Sequence, residues 1–135
     1  MLQIFAAAAS GKLGPNDLIG RLGGEEFAIV LYDAGHDKGL AIAERIRLTF
    51  ETAAADVEGR AIGGTVSMGM VIAEAGLFDI PALLAQADEA LYCAKERGRN
   101  RVEVASLQLV LDRAQETERH PRPPSISPTT AHGTA

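Results

Sequence analysis

Two clusters of charged residues in this 135-residue chain are suited to chemistry. The first is Gly23-Gly24-Glu25-Glu26-Phe27, in which two adjacent carboxylates follow two glycines. Like charges repel and glutamate is a weak strand former, so the pair is unfavourable in a hairpin unless a cation binds there. Mg²⁺ takes carboxylate and phosphate oxygens, and glycine N–H groups can approach a nucleotide because no side chain intervenes. The cluster therefore indicates either a metal and nucleotide site or, more simply, a solvated hairpin tip.

The second cluster is basic and surrounds the end of a predicted helix. It contains Lys95, Arg97, Arg99 and Arg101, with Gly98 among them. Cations there stabilise the negative end of the helix dipole by roughly 0.3–1 kcal/mol each, which is a sufficient structural reason for them. The functional alternative is a polyphosphate clamp, in which Lys95 is a point charge and Arg99 offers a planar fork to phosphate oxygens. Carboxylates for a metal and cations for a phosphate tail at one sheet edge would suit phosphoryl or nucleotidyl transfer.

The elements that position these clusters predict an α/β domain in which helices cover a mostly antiparallel sheet. Gly69, inside a predicted strand, marks a place where another backbone or a ligand comes close. Asp37 and Asp79 are the predicted N-caps of the two long helices. In order, the predicted elements are a helix 2–9, a hairpin with strands 18–22 and 27–32, a helix 37–55, a strand 65–72, a helix 79–98 and a strand 101–104.

Composition limits the class of protein further. With 13 basic and 18 acidic residues the net charge is −5, which argues against a general binder of nucleic acid or anionic membranes. A single cysteine, Cys93, excludes an internal disulfide framework and a cysteine-based zinc site, and we expect it to be a small buried helix residue. The cysteine usage and the lack of an apolar run near ~20 residues predict a soluble, cytoplasmic chain.

Five blocks of sequence, in order and at matching spacing, resemble the GGDEF domain of the diguanylate cyclase family from about Leu2 to Val104. The resemblance implies a nucleotide-cyclase-like fold and an α+β sandwich. It also implies that two GTP molecules are condensed into cyclic di-GMP and two pyrophosphates, with Mg²⁺ (or Mn²⁺) and one GTP held by each domain of a homodimer. The blocks are Arg21–Phe27, Ala43–Arg47, Thr65–Gly69, Ala87–Tyr92 and Ala94–Asn100.

The resemblance also assigns roles to individual residues. It implies that Glu25 is a catalytic, metal-ligating carboxylate and that Glu26 is a second catalytic acid, which helps to organise the reacting 3′-hydroxyl. The residues implied to contact the substrate are Gly23 and Gly24 against the nucleotide and Lys95 and Arg99 on the triphosphate.

Two departures from the family pattern shape our expectations. Asp17 and Arg45 fall at positions of the family's inhibitory product site, but Gly14 stands where that site has an arginine, so we expect feedback inhibition to be weak or absent. The pattern also begins with a strand that bears a metal-ligating aspartate, followed by an asparagine and an aspartate that recognise guanine. Met1 falls inside the second helix of the pattern, after those residues.

We therefore expect residues 1–105 to be a partial GGDEF domain without the family's first strand, which is central in its sheet. Residues 106–119 are predicted to form a C-terminal helix and residues 120–135 a disordered tail. An N-terminal truncation is favoured over a neighbouring copy that fills the gap. We expect little or no turnover by this chain alone, and the alternative is a non-catalytic, degenerate module for GTP sensing or protein interaction.

Overall fold

The computed structural model describes residues 1–73, 79–105 and 131–134. They form a five-stranded sheet of order β1-β2-β7-β5-β6 and a separate two-stranded pair, β3-β4. In the large sheet β5 and β6 are parallel, and the other pairings are antiparallel. The elements are α1 (Leu2–Ser10), β1 (Leu18–Gly23), β2 (Glu26–Val30), α2 (His36–Ala55), β3 (Asp56–Val57), β4 (Arg60–Ala61), β5 (Thr65–Met70), α3 (Ile80–Glu96), β6 (Val102–Val104) and β7 (Ala131–Thr134).

The main core lies between α1, α2 and one face of the sheet. The ring of Phe5 from α1 is 4.8 Å from that of Phe27 and 5.6 Å from that of Phe50, measured between centroids. Ile46 is also buried in this cluster. Each of these large side chains contributes about 1.5–3 kcal/mol on burial, so this cluster fixes α1 and α2 on the sheet.

Strand β5 has helices packed on both of its faces. Because successive side chains of a strand point in opposite directions, its residues contact the two helix layers alternately. Val66 and Met68 belong to the core beneath α1 and α2. Gly69 faces α3, where an added Cβ would overlap the carbonyl oxygen of Ala87 and the amide nitrogen of Leu91. The expectation that another backbone comes close to Gly69 is thereby confirmed.

Of the two predicted helix N-caps, one is confirmed and the other is wrong. Asp79 caps α3 as predicted, with its side chain accepting a hydrogen bond of 3.2 Å from the amide of Ala82. The prediction for α2 is wrong, since Gly35 is the N-cap and Asp37 lies inside the first turn. A carboxylate in that turn still interacts favourably with the helix dipole, and this explains its place there without a cap hydrogen bond.

The centre of the sheet is occupied by β7, which pairs with β2 on one side and β5 on the other. In this register His132 is the pairing partner of both Glu26 and Ser67. The expectation of a disordered tail is therefore wrong for residues 131–134. Their composition offers little to bury, but β2 and β5 would otherwise each present a row of unpaired backbone groups.

The rest of the predicted C-terminal organisation lies outside the described residues. This applies to the helix predicted over 106–119 and to positions 120–130 and 135 of the predicted tail. Cys93 is buried in α3, as expected. Within the described ranges, none of the helices has the length and apolar character required to cross a bilayer.

Candidate functional site

The hairpin of β1 and β2 presents the glycine and glutamate cluster at its tip. Gly24 and Glu25 form the turn, and Gly23 pairs with Glu26 across it. Gly23 has φ +145° and Gly24 φ +54°, backbone conformations that strain a residue with a Cβ. The Nε of Arg21 donates a hydrogen bond of 2.9 Å to the carbonyl of Gly24 and so ties the turn to β1. The predicted hairpin is confirmed.

The two glutamates occupy different surroundings. Glu25 is exposed in the turn, whereas Glu26 is half-buried as the first residue of β2. Phe27 packs into the main core, so the pleat directs Glu26 to the opposite face of the sheet, the face on which α3 packs. One carboxylate is therefore open to solvent while the other lies on the α3 side.

The last turn of α3 carries Lys95, which is half-buried. Burial lowers the pKa of Lys95, and the nearby guanidinium of Arg99 lowers this pKa further. The carboxylates of Glu26 and Asp88 act on the same pKa in the opposite direction. These interactions place Lys95 within electrostatic reach of Glu26 and Arg99, so one carboxylate of the hairpin cluster lies near two cations of the basic cluster.

Arg99 follows the end of α3 in an unusual backbone conformation. Gly98, Arg99 and Asn100 have φ values of +113°, +65° and +48°, respectively. The amide of Arg99 donates a hydrogen bond of 2.9 Å to the carbonyl of Ala94, which closes the helix end. The side chain of Arg99 is exposed beside Lys95, where it is available to an anion.

The donor set fits a metal that a ligand helps to hold. Among residues 1–73 and 79–105, no group of three histidine, cysteine or acidic side chains is close enough together to bind an ion alone. Glu25 and Glu26 provide two adjacent carboxylates. Mg²⁺ is commonly held by one or two carboxylates together with substrate phosphates and water, so this pair fits Mg²⁺ brought by a nucleotide.

The family model described as diguanylate cyclase, GGDEF domain, matches residues 1–101. The chain belongs to the GGDEF domain family. Diguanylate cyclase DosC of Escherichia coli is 44% identical to this GGDEF domain over 105 residues, which are 77% of this chain and 23% of that protein. The chain spans between about a sixth and a quarter of the length of the curated relatives that it matches.

Solved GGDEF domains share the fold. The active GGEEF domain of a diguanylate cyclase from Vibrio cholerae is 30% identical with a TM-score of 0.63, over 78% of this chain and 66% of that one. The GGDEF domain of DgcB from Caulobacter crescentus, in complex with c-di-GMP, is 27% identical with a TM-score of 0.68, over 77% and 62%. The predicted α/β fold class and the resemblance are confirmed.

In this GGDEF domain Asp17 makes structural hydrogen bonds. Its two carboxylate oxygens accept bonds of 2.8 Å from the amides of Gly14 and Tyr32. These donors, Gly14 first, lower the pKa of Asp17. Arg45 is exposed on α2. Asp17 therefore connects the loop before β1 to the segment that follows β2.

Two residues beside the site were not among those singled out from the sequence. Asp88 precedes Lys95 by seven positions on α3, a spacing of about two helical turns that places both on one face. From this spacing Asp88 could have been predicted to lie near Lys95. Arg21 supports the turn through its hydrogen bond to Gly24, and only the hairpin geometry reveals this contact.

Proposed function

We propose that this GGDEF domain binds GTP between the hairpin tip and the end of α3. This proposal rests on the electrostatic interaction of Lys95 with both Glu26 and Arg99. One triphosphate with its metal can therefore contact cations on one side and carboxylates on the other. The names of the relatives, which are diguanylate cyclases, support the same substrate class.

Each proposed contact follows from the chemistry of its residue. Lys95 is partly desolvated and its pKa is lowered, so a phosphate anion would stabilise its charged form. Arg99 provides a planar fork for phosphate oxygens. Gly23 and Gly24 leave the turn backbone open, since a Cβ added at either residue would have nothing within 4 Å. Glu25 would hold Mg²⁺ (or Mn²⁺), which supplies positive charge at the phosphates when bound.

The proposed reaction joins two such domains as a homodimer in the cytoplasm, each with one GTP. The 3′-hydroxyl of each GTP releases its proton to solvent as its oxygen forms a bond to the α-phosphorus of the other, and the bond from that phosphorus to pyrophosphate breaks. Glu26 orients the attacking hydroxyl, while Lys95 and Arg99 stabilise the charge that develops on the leaving pyrophosphate. Two such steps yield cyclic di-GMP and two pyrophosphates.

A second candidate is GTP binding without turnover by this chain. It is favoured by the composition of β7, which lies beside β2 and has the sequence Ala-His-Gly-Thr, without a carboxylate. The family resemblance implies an aspartate on a central strand as a further metal ligand. We accordingly propose little or no cyclic di-GMP production by the isolated chain, together with retained affinity for GTP.

Calorimetric titration with GTP and Mg²⁺, run beside a chromatographic assay for cyclic di-GMP, separates these functions. The double variant Lys95→Ala/Arg99→Ala should weaken GTP binding by at least about tenfold, because it removes two charge-assisted contacts. Arg60→Ala is the control, since it removes an exposed cation on β4. Unchanged affinity in the double variant would favour a solvated surface instead. Turnover that Glu26→Ala abolishes would overturn the proposed inactivity of the chain.

A further inference from the structure

The loop after α3 holds three consecutive residues in the left-handed backbone region. Gly98 adopts such a conformation freely and asparagine tolerates it, but Arg99, with φ +65°, is strained there. Strained backbone persists only where the surroundings determine it. Since the proposed function gives Arg99 a phosphate contact, whatever holds this conformation also sets the direction in which its side chain leaves the backbone.

Arg99 is restrained by the hydrogen bond of its own amide to Ala94 and by the anchoring of its neighbour Asn100. The amide nitrogen of Asn100 donates a hydrogen bond of 3.2 Å to the hydroxyl of Ser67, a fully buried residue of β5. Its side-chain Nδ2 donates to Glu51 Oε2 at 2.6 Å, and its Oδ1 accepts from Arg47 Nη1 at 3.0 Å. Asn100 is thus fixed by β5 and, through both ends of its side-chain amide, by α2.

Arg47 is itself held rigidly on α2. Its Nε and Nη2 both donate to Glu44 Oε2, at 3.0 Å and 2.8 Å, and its Nη1 is 3.7 Å from Glu51 Oε2. The side chain is only 16% exposed. An arginine fixed in this way by carboxylates of its own helix presents a pre-oriented N–H to Asn100.

We propose that Arg47 is a positioning residue for the triphosphate contact, acting through Asn100 on Arg99. This inference rests on the proposed GTP site. Arg47 fixes the side-chain amide of Asn100, Asn100 fixes the left-handed backbone, and that backbone keeps Arg99 beside Lys95. Without Arg47, Asn100 loses the donor to its Oδ1 and keeps only its bonds to Ser67 and Glu51, so the strained residue beside it is held less tightly. Arg47 then contributes to GTP affinity without contacting the nucleotide.

The test is a double-mutant cycle on the full chain with GTP and Mg²⁺ as the probe. Arg47→Ala is expected to weaken binding by about tenfold, the value of one hydrogen bond to a charged group. In the Arg99→Ala background the same substitution should have no further effect, because its route to the nucleotide is gone. Full additivity of the two losses would overturn the proposal. Arg60→Ala, which also removes one arginine but from the exposed strand β4, should leave the affinity unchanged.

A second readout needs no nucleotide. Backbone ¹³C and amide chemical shifts of Arg99 and Asn100 should leave left-handed values in Arg47→Ala, while they should stay unchanged in Arg60→Ala. Unchanged shifts in Arg47→Ala would overturn the proposal even if GTP does not bind. Wild-type chain that binds no GTP would instead contradict the proposed function, and the chemical shifts would still decide whether Arg47 fixes the loop.

The fold of the variant is checked by its melting temperature. Should Arg47→Ala not fold, Arg47→Lys keeps a cation beside Glu44 but lacks the fork that also reaches Asn100. It is expected to show the same change of chemical shifts, and wild-type shifts in this variant would overturn the proposal.

Discussion

Lys95 at the end of α3 interacts electrostatically with Glu26 at the start of β2. The two residues are distant in sequence, and the sheet and the helix packed on it bring them together. Gly69 makes this approach possible, because α3 lies directly on its backbone. The proposed nucleotide site therefore depends on a packing contact that has no chemical role of its own.

The charge of Lys95 should be unfavourable for stability. Burial lowers its pKa, so the unfolded chain holds the proton more tightly than the folded chain does. Lys95→Met should therefore leave the melting temperature at pH 7 equal to or above that of the wild type, while GTP binding is lost. The melting temperature of the wild type should rise relative to that of the variant as pH rises through the lowered pKa towards 10.5. Thermal melts at pH 7 and pH 10 measure both effects, and a lower melting temperature of Lys95→Met at pH 7 would contradict this prediction.

Gly69 should tolerate no side chain. A Cβ there would overlap the backbone of α3 at Ala87 and Leu91, so Gly69→Ala must push the helix away from the sheet. We expect the free energy of unfolding to fall by about 3 kcal/mol or more, at the upper end of overpacking effects. Gly20→Ala is the matched control, since a Cβ at Gly20 has nothing within 4 Å. Denaturant unfolding of the two variants gives the comparison, and equal stabilities would disprove the close contact.

Asp17 should stabilise the fold only when it is ionised. Its pKa is lowered below 3.8 by the amides of Gly14 and Tyr32, so its contribution is present above the unfolded pKa and is lost as pH falls through the folded pKa. Asp17→Asn should therefore melt at a lower temperature than the wild type at pH 7, and the difference should shrink as pH falls below 3.8. Glu58→Gln, at an exposed carboxylate in the turn between β3 and β4, serves as the control. A difference in melting temperature that persists at low pH would show that the ionised carboxylate of Asp17 is not its cause.

Asp17 also bears on the inhibitory product site. Because Gly14 replaces an arginine and Asp17 already accepts two backbone hydrogen bonds, titrated cyclic di-GMP should bind weakly. Tight binding that Asp17→Asn abolishes would show that this proposal is wrong. Calorimetry with cyclic di-GMP is the measurement, with Glu58→Gln as the same control.

Strand β7 should contribute to the stability of the sheet. Gly133 is paired with Val66 in the central position, and proline at residue 133 has no N–H to donate. Gly133→Pro should lower the free energy of unfolding by about 1–3 kcal/mol, the cost of an unsatisfied polar group. Gly133→Ala keeps the N–H and should have the smaller effect. If the two variants unfold at the same denaturant concentration, β7 does not pair as described.

The sequence predicted best those features that depend on local patterns. The turn at Gly23 and Gly24, the cap at Asp79 and the close approach at Gly69 each follow from backbone geometry that particular residue types favour. The family was predictable for a different reason: five blocks of sequence, in order, resemble those of a known domain.

The features that escaped prediction are long-range. Strand β7 has no apolar pattern, and only the unpaired edges of β2 and β5 explain its place in the sheet. The contacts of Asn100 with Arg47 and Glu51 join residues that are about fifty positions apart in the chain. A single sequence gives no sign of such pairs, since their spacing follows neither a helix nor a strand period.

The central claim is that one metal and nucleotide complex contacts both the hairpin tip and the end of α3. Paramagnetic broadening of backbone amide signals by GTP with Mn²⁺ tests it most directly. We predict that the amides of Gly24 and Glu25 and those of Lys95 and Arg99 broaden together at the same low Mn²⁺ concentration. Broadening confined to one of the two groups, or none that depends on GTP, would contradict the account.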